Sequence, residues 1–200
     1  MRFLLLPCLL IPSLWGFEGL PALHAPLTVV VDSEKPIPST ALQELQAELD
    51  KLLSQGQRHV EWKLRSQMQP GAEAADLVVV RFRGSCRMET APILLDERGP
   101  LAFTHTADGE VLPFSEVLCD QVKVAARSAM HGGQLRDGDK LMGRAMARVL
   151  AHEIWHITGN THNHGKHGVA SRGLTGAQLI ADRLDFDRSD AGALTRKTVR

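Results

Sequence analysis

The apolar positions of this chain change period along its length, and the changes mark out its elements. Leu27-Thr28-Val29-Val30-Val31 is a β-branched run and predicts a strand. Pro36 and Pro38 close the loop that follows. Leu42, Leu45, Leu49, Leu52 and Leu53 then recur at helical spacing, which predicts a helix to about Ser54 with Ser39 as its N-cap. Val60 to Arg65 alternates apolar and polar as a half-buried strand does. Asp76 to Phe82, built on Leu77-Val78-Val79-Val80, reads as a more buried one. Gly84, Pro92, Gly99 and Pro100 make residues 84–100 irregular. Leu101 to Thr106 and Glu116 to Ala125 predict two further strands, separated by the turn dipeptide Asp108-Gly109.

Past Asp137-Gly138-Asp139 the period becomes helical again. Leu141, Met142, Ala145, Val149 and His152 hold it up to His156, with Asp137 or Asp139 as the cap. Gly143, Ala145, Ala147 and Ala151 are small enough to let this helix lie close against the sheet. Gly165, Gly168 and Gly173 then mark a turn-rich stretch, and Thr175 can cap a short helix reaching Leu184. Strands grouped between two main helices predict an α+β sandwich, with the second long helix under the sheet. Residues 187–200 are polar and read as a flexible tail, so the folded domain is expected over 26–186.

The start of the chain changes where this domain is expected to work. Met1-Arg2 is followed by an apolar run from Phe3 to Phe17, the form of a secretory signal peptide over 1–25. Pro7 and Pro12 interrupt the run, which is short for a membrane span, and cleavage falls between residues 19 and 25. A secreted or periplasmic location follows. Cys8 would leave with the signal peptide, and Cys86 and Cys119 remain as an even pair in an oxidising compartment, so they are expected to form a disulfide. The 23 basic and 23 acidic residues cancel without a basic block, which argues against nucleic acid or a membrane surface as partner. No feature points to an oligomer, and a monomer is the default.

The chemistry gathers at the end of the second long helix. Five of the nine histidines lie between residues 152 and 167, which concentrates metal-ligating groups there. His152 and His156 stand at i and i+4 and share a helix face, so both imidazoles can reach one metal ion. Glu153 sits beside the first, placed to reach a water on the metal rather than the metal. Gly159 can take a left-handed conformation and turn the chain back. His162 then falls at the third-ligand position of the extended zinc-protease pattern, with His164 two residues on as the alternative. Zinc takes three protein nitrogens and keeps a fourth position for water, which Glu153 would deprotonate as general base and whose proton it would pass to the leaving amine. His167 has no assigned part, and His24, His59, His105 and His131 are scattered. Trp155 reads as core. Asp182, Asp185 and Asp187 lack the glycine and spacing of a calcium loop and read as a solvated acidic face.

Residues 152–162 resemble the metzincin zinc-binding motif, and the order of elements over about residues 27–184 is similar to a small metzincin catalytic domain. That resemblance implies a mixed sheet packed on a long N-terminal helix and a long motif-bearing helix. It also implies one zinc ion, a peptide or protein substrate, and metalloendopeptidase activity with Glu153 as the catalytic carboxylate. The stretch Leu150 to Ala170 also resembles small secreted bacterial proteins described as zinc metalloproteases. In those the third histidine falls eight rather than six residues after the second, which would make His164 the ligand and His162 its neighbour.

The chain departs from the metzincin pattern twice. Its methionines all lie at or before Met146, so Gly168-Val169-Ala170 takes the place of the methionine turn, with Val169 or Ala170 as its floor. It has no tyrosine, so stabilisation of a developing oxyanion falls to backbone, histidine or arginine. The alternative to an enzyme is a zinc-binding module on the same scaffold without turnover. A histidine-rich metal carrier fits the spacing less well, and the intact Glu153 favours the enzyme.

Overall fold

Five strands form one mixed sheet in a computed structural model that describes residues 26–69, 71, 76–89 and 99–196. They are β1 (Leu27–Ser33), β2 (Val60–Leu64), β3 (Leu77–Arg83), β4 (Ala102–Ala107) and β5 (Glu110–Leu118), in the spatial order β2-β1-β3-β5-β4. The helices are α1 (Ser39–Ser54), α2 (Cys119–Ser128), α3 (Gly138–Gly159), α4 (Gly176–Ile180) and α5 (Arg188–Ala191). The expected signal peptide lies outside the described residues. No helix among the described residues is long and apolar enough to cross a membrane.

The topology follows from the connections. Parallel neighbours need a crossover, and α1 supplies it between β1 and β2. β4 and β5 are joined by two residues and run antiparallel. Asp108 and Gly109 both take positive φ, 51° and 85°, as a tight hairpin turn of this type requires. One sheet face is apolar: Val78, Val80 and Phe82 of β3 are buried, while Arg81 and Arg83 between and after them are exposed. Against that face lie α1, whose Leu45, Leu49, Leu52 and Leu53 are fully buried, and α3, which is buried on nearly all sides. The small residues of α3 serve α1 as well as the sheet. A Cβ on Gly143 would stand 2.2 Å from the Ala41 carbonyl oxygen, so the two helices meet almost backbone to backbone there.

Such close packing buries charge. The Arg148 guanidinium is fully buried and donates from Nε and Nη2 to Glu48 Oε1 at 2.9 and 2.8 Å, and from Nη1 to the Gln178 carbonyl at 2.6 Å. Arg58 and Asp76 form a second buried pair near the start of β3. A buried charge is tolerable only with such partners.

Several elements differ from the sequence expectation. The strand expected over 116–125 is β5, which starts at Glu110 and stops at Leu118; Cys119 opens α2. Cys119, Val122 and Ala126 are buried at helical spacing, a pattern that the apolar run leading into them conceals. Pro113 is tolerated inside β5 because pairing to β3 begins only at Phe114, and the β4 side is irregular between Thr104 and Thr106. The disulfide Cys86–Cys119 is formed, and it ties the loop after β3 to the first turn of α2 rather than to a strand.

Ser39 is the first residue of α1 rather than its cap. Asp137 makes no side-chain cap, and Asp139 instead accepts the Met88 N–H at 2.8 Å. Thr175 does cap α4, in a reciprocal pair with Gln178, but that helix ends at Ile180 rather than Leu184. The polar end of the chain folds as α5 and a 3-10 turn over Gly192–Thr195. Leu194 is fully buried against Gly56, so the tail reading fails at least as far as Thr195.

Candidate metal centre

The last two turns of α3 carry His152, Glu153 and His156 into a cleft of about 520 Å³. Both histidines are oriented by backbone carbonyls. His152 Nδ1 lies 2.8 Å from the Val169 oxygen, and His156 Nδ1 lies 2.6 Å from the Thr161 oxygen. A carbonyl only accepts, so each Nδ1 is the donor and each Nε2 carries the lone pair. The two Nε2 atoms face each other at 3.0 Å. Two acceptors turned toward one another repel unless a cation or a proton lies between them. Burial disfavours the proton: it holds His152 down at about 4 and also lowers His156, with the carbonyl hydrogen bonds opposing in each case. Neutral imidazoles with converging lone pairs can chelate a metal ion.

His164 completes the group. Its ring lies 5.3 Å from that of His152, nearly parallel at 24°, and 4.8 Å from that of His156 at 84°. The ligating atoms of His152, His156 and His164 all fall within 4.8 Å of one another and are placed to hold one metal ion. His162 stands outside this group; it is exposed, with Nε2 3.4 Å from the Gly109 carbonyl oxygen. Of the two spacings open in the sequence, the structure brings together the one that uses His164.

The turn that delivers His164 is not made by the glycine. Gly159 is the last helical residue, and the left-handed conformation falls on Asn160, at φ 42° and ψ 55°. A Cβ on Gly159 would stand 3.1 Å from Thr161 Cγ2, so the glycine provides room rather than handedness. Asparagine tolerates the left-handed region better than most residues. Its side-chain oxygen also accepts the Val111 N–H at 3.0 Å, tying the helix end to the β4–β5 hairpin. Thr161 returns its own N–H to the His156 carbonyl at 3.1 Å. Farther on, Gly165 donates its N–H to the Ala170 carbonyl at 2.8 Å, which pins the histidine loop to the next turn.

That next turn is the 3-10 segment Gly168–Ala170, where the sequence placed the floor of the site. Val169 and Ala170 are fully buried, and the Val169 carbonyl orients His152. Trp155 is core, as expected, with its indole N–H donating to the Asp190 carbonyl at 3.0 Å. Asp182 and Asp185 pair with Arg144 and Arg183. Of the scattered histidines, His105 lies on β4, 3.4 Å from Glu116 and in ring contact with Phe103.

Glu153 lines the same cleft as the histidines and reaches across to the sheet. Its Oε2 accepts the Thr104 hydroxyl at 2.7 Å. Burial pushes this carboxyl up to about 7, and the hydroxyl opposes the shift. A carboxyl poised near neutral pH both takes and releases a proton. Thr104 belongs to β4, the sheet's edge, and the cleft is lined by Ala102, Phe103, Thr104 and Thr106 of that strand together with Ser171–Leu174. The Leu118 N–H bonds the Leu101 carbonyl at 2.9 Å, which sets the phase of the hairpin. The backbone N–H and C=O of Ala102 and Thr104 therefore turn away from β5, to the side on which no described strand pairs.

Three contributors had no signal in the sequence: Thr104, Asn160 and the Val169 carbonyl. Each depends on a contact between segments, and no residue spacing announces it. Comparison with protein-family models, with curated proteins and with solved structures finds no match, so this site is read from its own geometry.

Proposed function

We propose that this protein is an extracytoplasmic zinc-dependent peptidase of metzincin-like type, with Glu153 as its proton-transferring group and a peptide or protein as substrate. One observation carries this reading. Two imidazoles fixed through Nδ1 converge with His164 on one point, and a buried carboxyl near its neutral form stands beside them on an open strand edge. An all-nitrogen set of three with a free fourth direction suits zinc. Two such ligands at about 2.0–2.1 Å in a tetrahedron lie about 3.3 Å apart, close to the Nε2 separation here. A bound zinc ion would supply Lewis acidity, polarising a carbonyl and making water nucleophilic near neutral pH.

The chain's own residues would do the rest. The Val169 and Thr161 carbonyls keep both imidazoles in the ligating tautomer. Glu153 takes the proton of the attacking water and delivers it to the departing amine, while Thr104 holds the carboxyl in place. Among the described residues the outward backbone groups of Ala102 and Thr104 have no strand partner, which suits an extended peptide that adds as a strand to that edge. This favours a peptide bond over other hydrolysable groups. The disulfide, and the apolar segment that opens the chain, support an extracytoplasmic location.

Metal analysis and a mixed peptide library, run on wild type and on Glu153→Ala, test the proposal. The expected result is one zinc per chain and cleavage that Glu153→Ala abolishes at unchanged zinc content. Full zinc with no Glu153-dependent cleavage would leave a zinc-binding module in place of an enzyme.

A further inference from the structure

Arg172 stands two residues past the turn that orients His152, exposed, on the wall of the cleft. Several arginines elsewhere in the fold close on carboxylates: Arg58 on Asp76, Arg144 on Glu44, Arg148 on Glu48, Arg83 on Glu34 and Glu116. Among the described residues Arg172 has no carboxylate partner. Among the described residues that line the cleft it is the only Lys or Arg, and Glu153 is the only carboxylate. The hydrogen bond of Glu153 goes to Thr104.

An unpaired surface arginine is ordinary. One beside a metal centre is not, because its charge works against binding a cation. Arg172 lines the same cleft as His152, His156 and His164. A guanidinium placed there with its donors free fits an anion that arrives with the substrate, and its planar fork matches a carboxylate.

We propose that Arg172 recognises a carboxylate on the substrate close to the scissile bond. The cleft then selects peptides carrying an Asp or Glu side chain, or a free C-terminus, at that place. The proposal rests on the peptidase reading and adds the substrate class to it.

The test uses matched peptides that differ in one group. Asp is exchanged for Asn, and separately a free C-terminal acid for its amide, so that the two sources of carboxylate are told apart. In the zinc-loaded protein the carboxylate form is expected to be favoured about tenfold in kcat/KM, the scale of one charge-assisted hydrogen bond. Arg172→Ala should abolish the preference, Arg172→Lys should retain part of it, and Arg172→Glu should turn it toward a Lys-bearing peptide. No folding contact is lost among the described residues, so zinc content and the circular dichroism spectrum should stay as in wild type.

Three results would overturn the proposal. The first is the absence of any preference in wild type. The second is a preference that survives in Arg172→Ala, which would place the carboxylate on the metal. The third is an equal slowing of all peptides in Arg172→Ala, which would make the guanidinium a stabiliser of the developing oxyanion. Binding of the same peptides to zinc-loaded Glu153→Gln protein, read by calorimetry, separates this inference from the function it rests on. Absence of cleavage by wild type would sink the peptidase but leave the carboxylate preference readable in that binding. Equal binding of acid and neutral forms, or no binding, would sink Arg172 as the recognising group.

Discussion

Arg148 and His152 are one helical turn apart on α3, and the structure treats them in opposite ways. The Arg148 guanidinium is closed: all three of its nitrogens reach Glu48 or the Gln178 carbonyl. The His152 imidazole is held on one side only, by the Val169 carbonyl, and its other nitrogen faces an equally bare nitrogen on His156. Arg148 is fully buried, whereas His152 is half-buried, His156 buried and His164 exposed, so the histidines open onto the cleft and the arginine does not. Polar groups in a core are normally satisfied within the protein, and a cluster left open at the floor of a cleft is where a ligand can bind. Arg148 and Glu48 hold α1 to α3; the histidines keep their capacity for something that is not protein.

The largest expected effect tests the closed half. Arg148→Ala removes one member of a buried pair and strands Glu48, which should destabilise the fold by about 3–5 kcal/mol in denaturant titrations. Arg148→Met, which fills the space, should lose less than Arg148→Ala does. A loss under about 1 kcal/mol in Arg148→Ala would show that Glu48 finds water, and the contrast with the histidines would disappear.

The open half should respond to metal. Zinc at about a hundred times its dissociation constant should raise stability by about 2.7 kcal/mol, a gain that a chelator reverses. His156→Ala and His164→Ala should lose most of this gain, and His162→Ala should keep it. Equal retention in the His162 and His164 variants would defeat the grouping of His152, His156 and His164. Without metal, His162→Ala and His164→Ala should change stability little, whereas His156→Ala also gives up the bond to the Thr161 carbonyl, at a cost of about 1 kcal/mol.

These two halves also differ in how far they can be read from sequence. His152, Glu153 and His156 are legible because i and i+4 lie on one face whatever surrounds the helix. The leucines of α1 and the valines of β1 and β3 are legible for the same local reason. Where the third histidine sits depends on the left-handed Asn160 and on the bond from Gly165 to Ala170, and neither is fixed by a spacing. Thr104 is 49 residues from Glu153 and reaches it only because β4 is the edge strand over α3. α2 was hidden because no glycine or proline separates it from β5, whose Val117 and Leu118 lead straight into Cys119. The pairing of Cys86 with Cys119 needed only a count, but the element holding Cys119 needed the fold.

Thr104→Val sharpens the comparison at the carboxyl. Val keeps the shape and removes the hydroxyl that holds Glu153. If the site is a peptidase, kcat should fall about tenfold, the scale of a hydrogen bond to a charged group, with zinc content and KM unchanged. A rise in KM or a fall in zinc content instead would mean that Thr104 shapes the cleft and leaves the carboxyl alone.

The smallest effect is expected at the joint between the helix and the hairpin, and it separates backbone from side chain. Asn160→Gly keeps the left-handed turn but gives up the bond to the buried Val111 N–H, at a cost of about 1 kcal/mol. Asn160→Ala loses that bond and must also hold φ 42° with a Cβ, which adds about 1–2 kcal/mol. The difference between the two variants is therefore the conformational cost, and what remains in the glycine variant is the hydrogen bond. Both should weaken zinc binding more than Thr175→Ala does, although loss of that cap also costs about 1 kcal/mol. Asn160 sets the path to His164, whereas Thr175 caps a helix beyond it. If all three variants bound zinc alike, the loop would find its ligating position without Asn160, and the third ligand would owe its place to the Gly165–Ala170 bond alone.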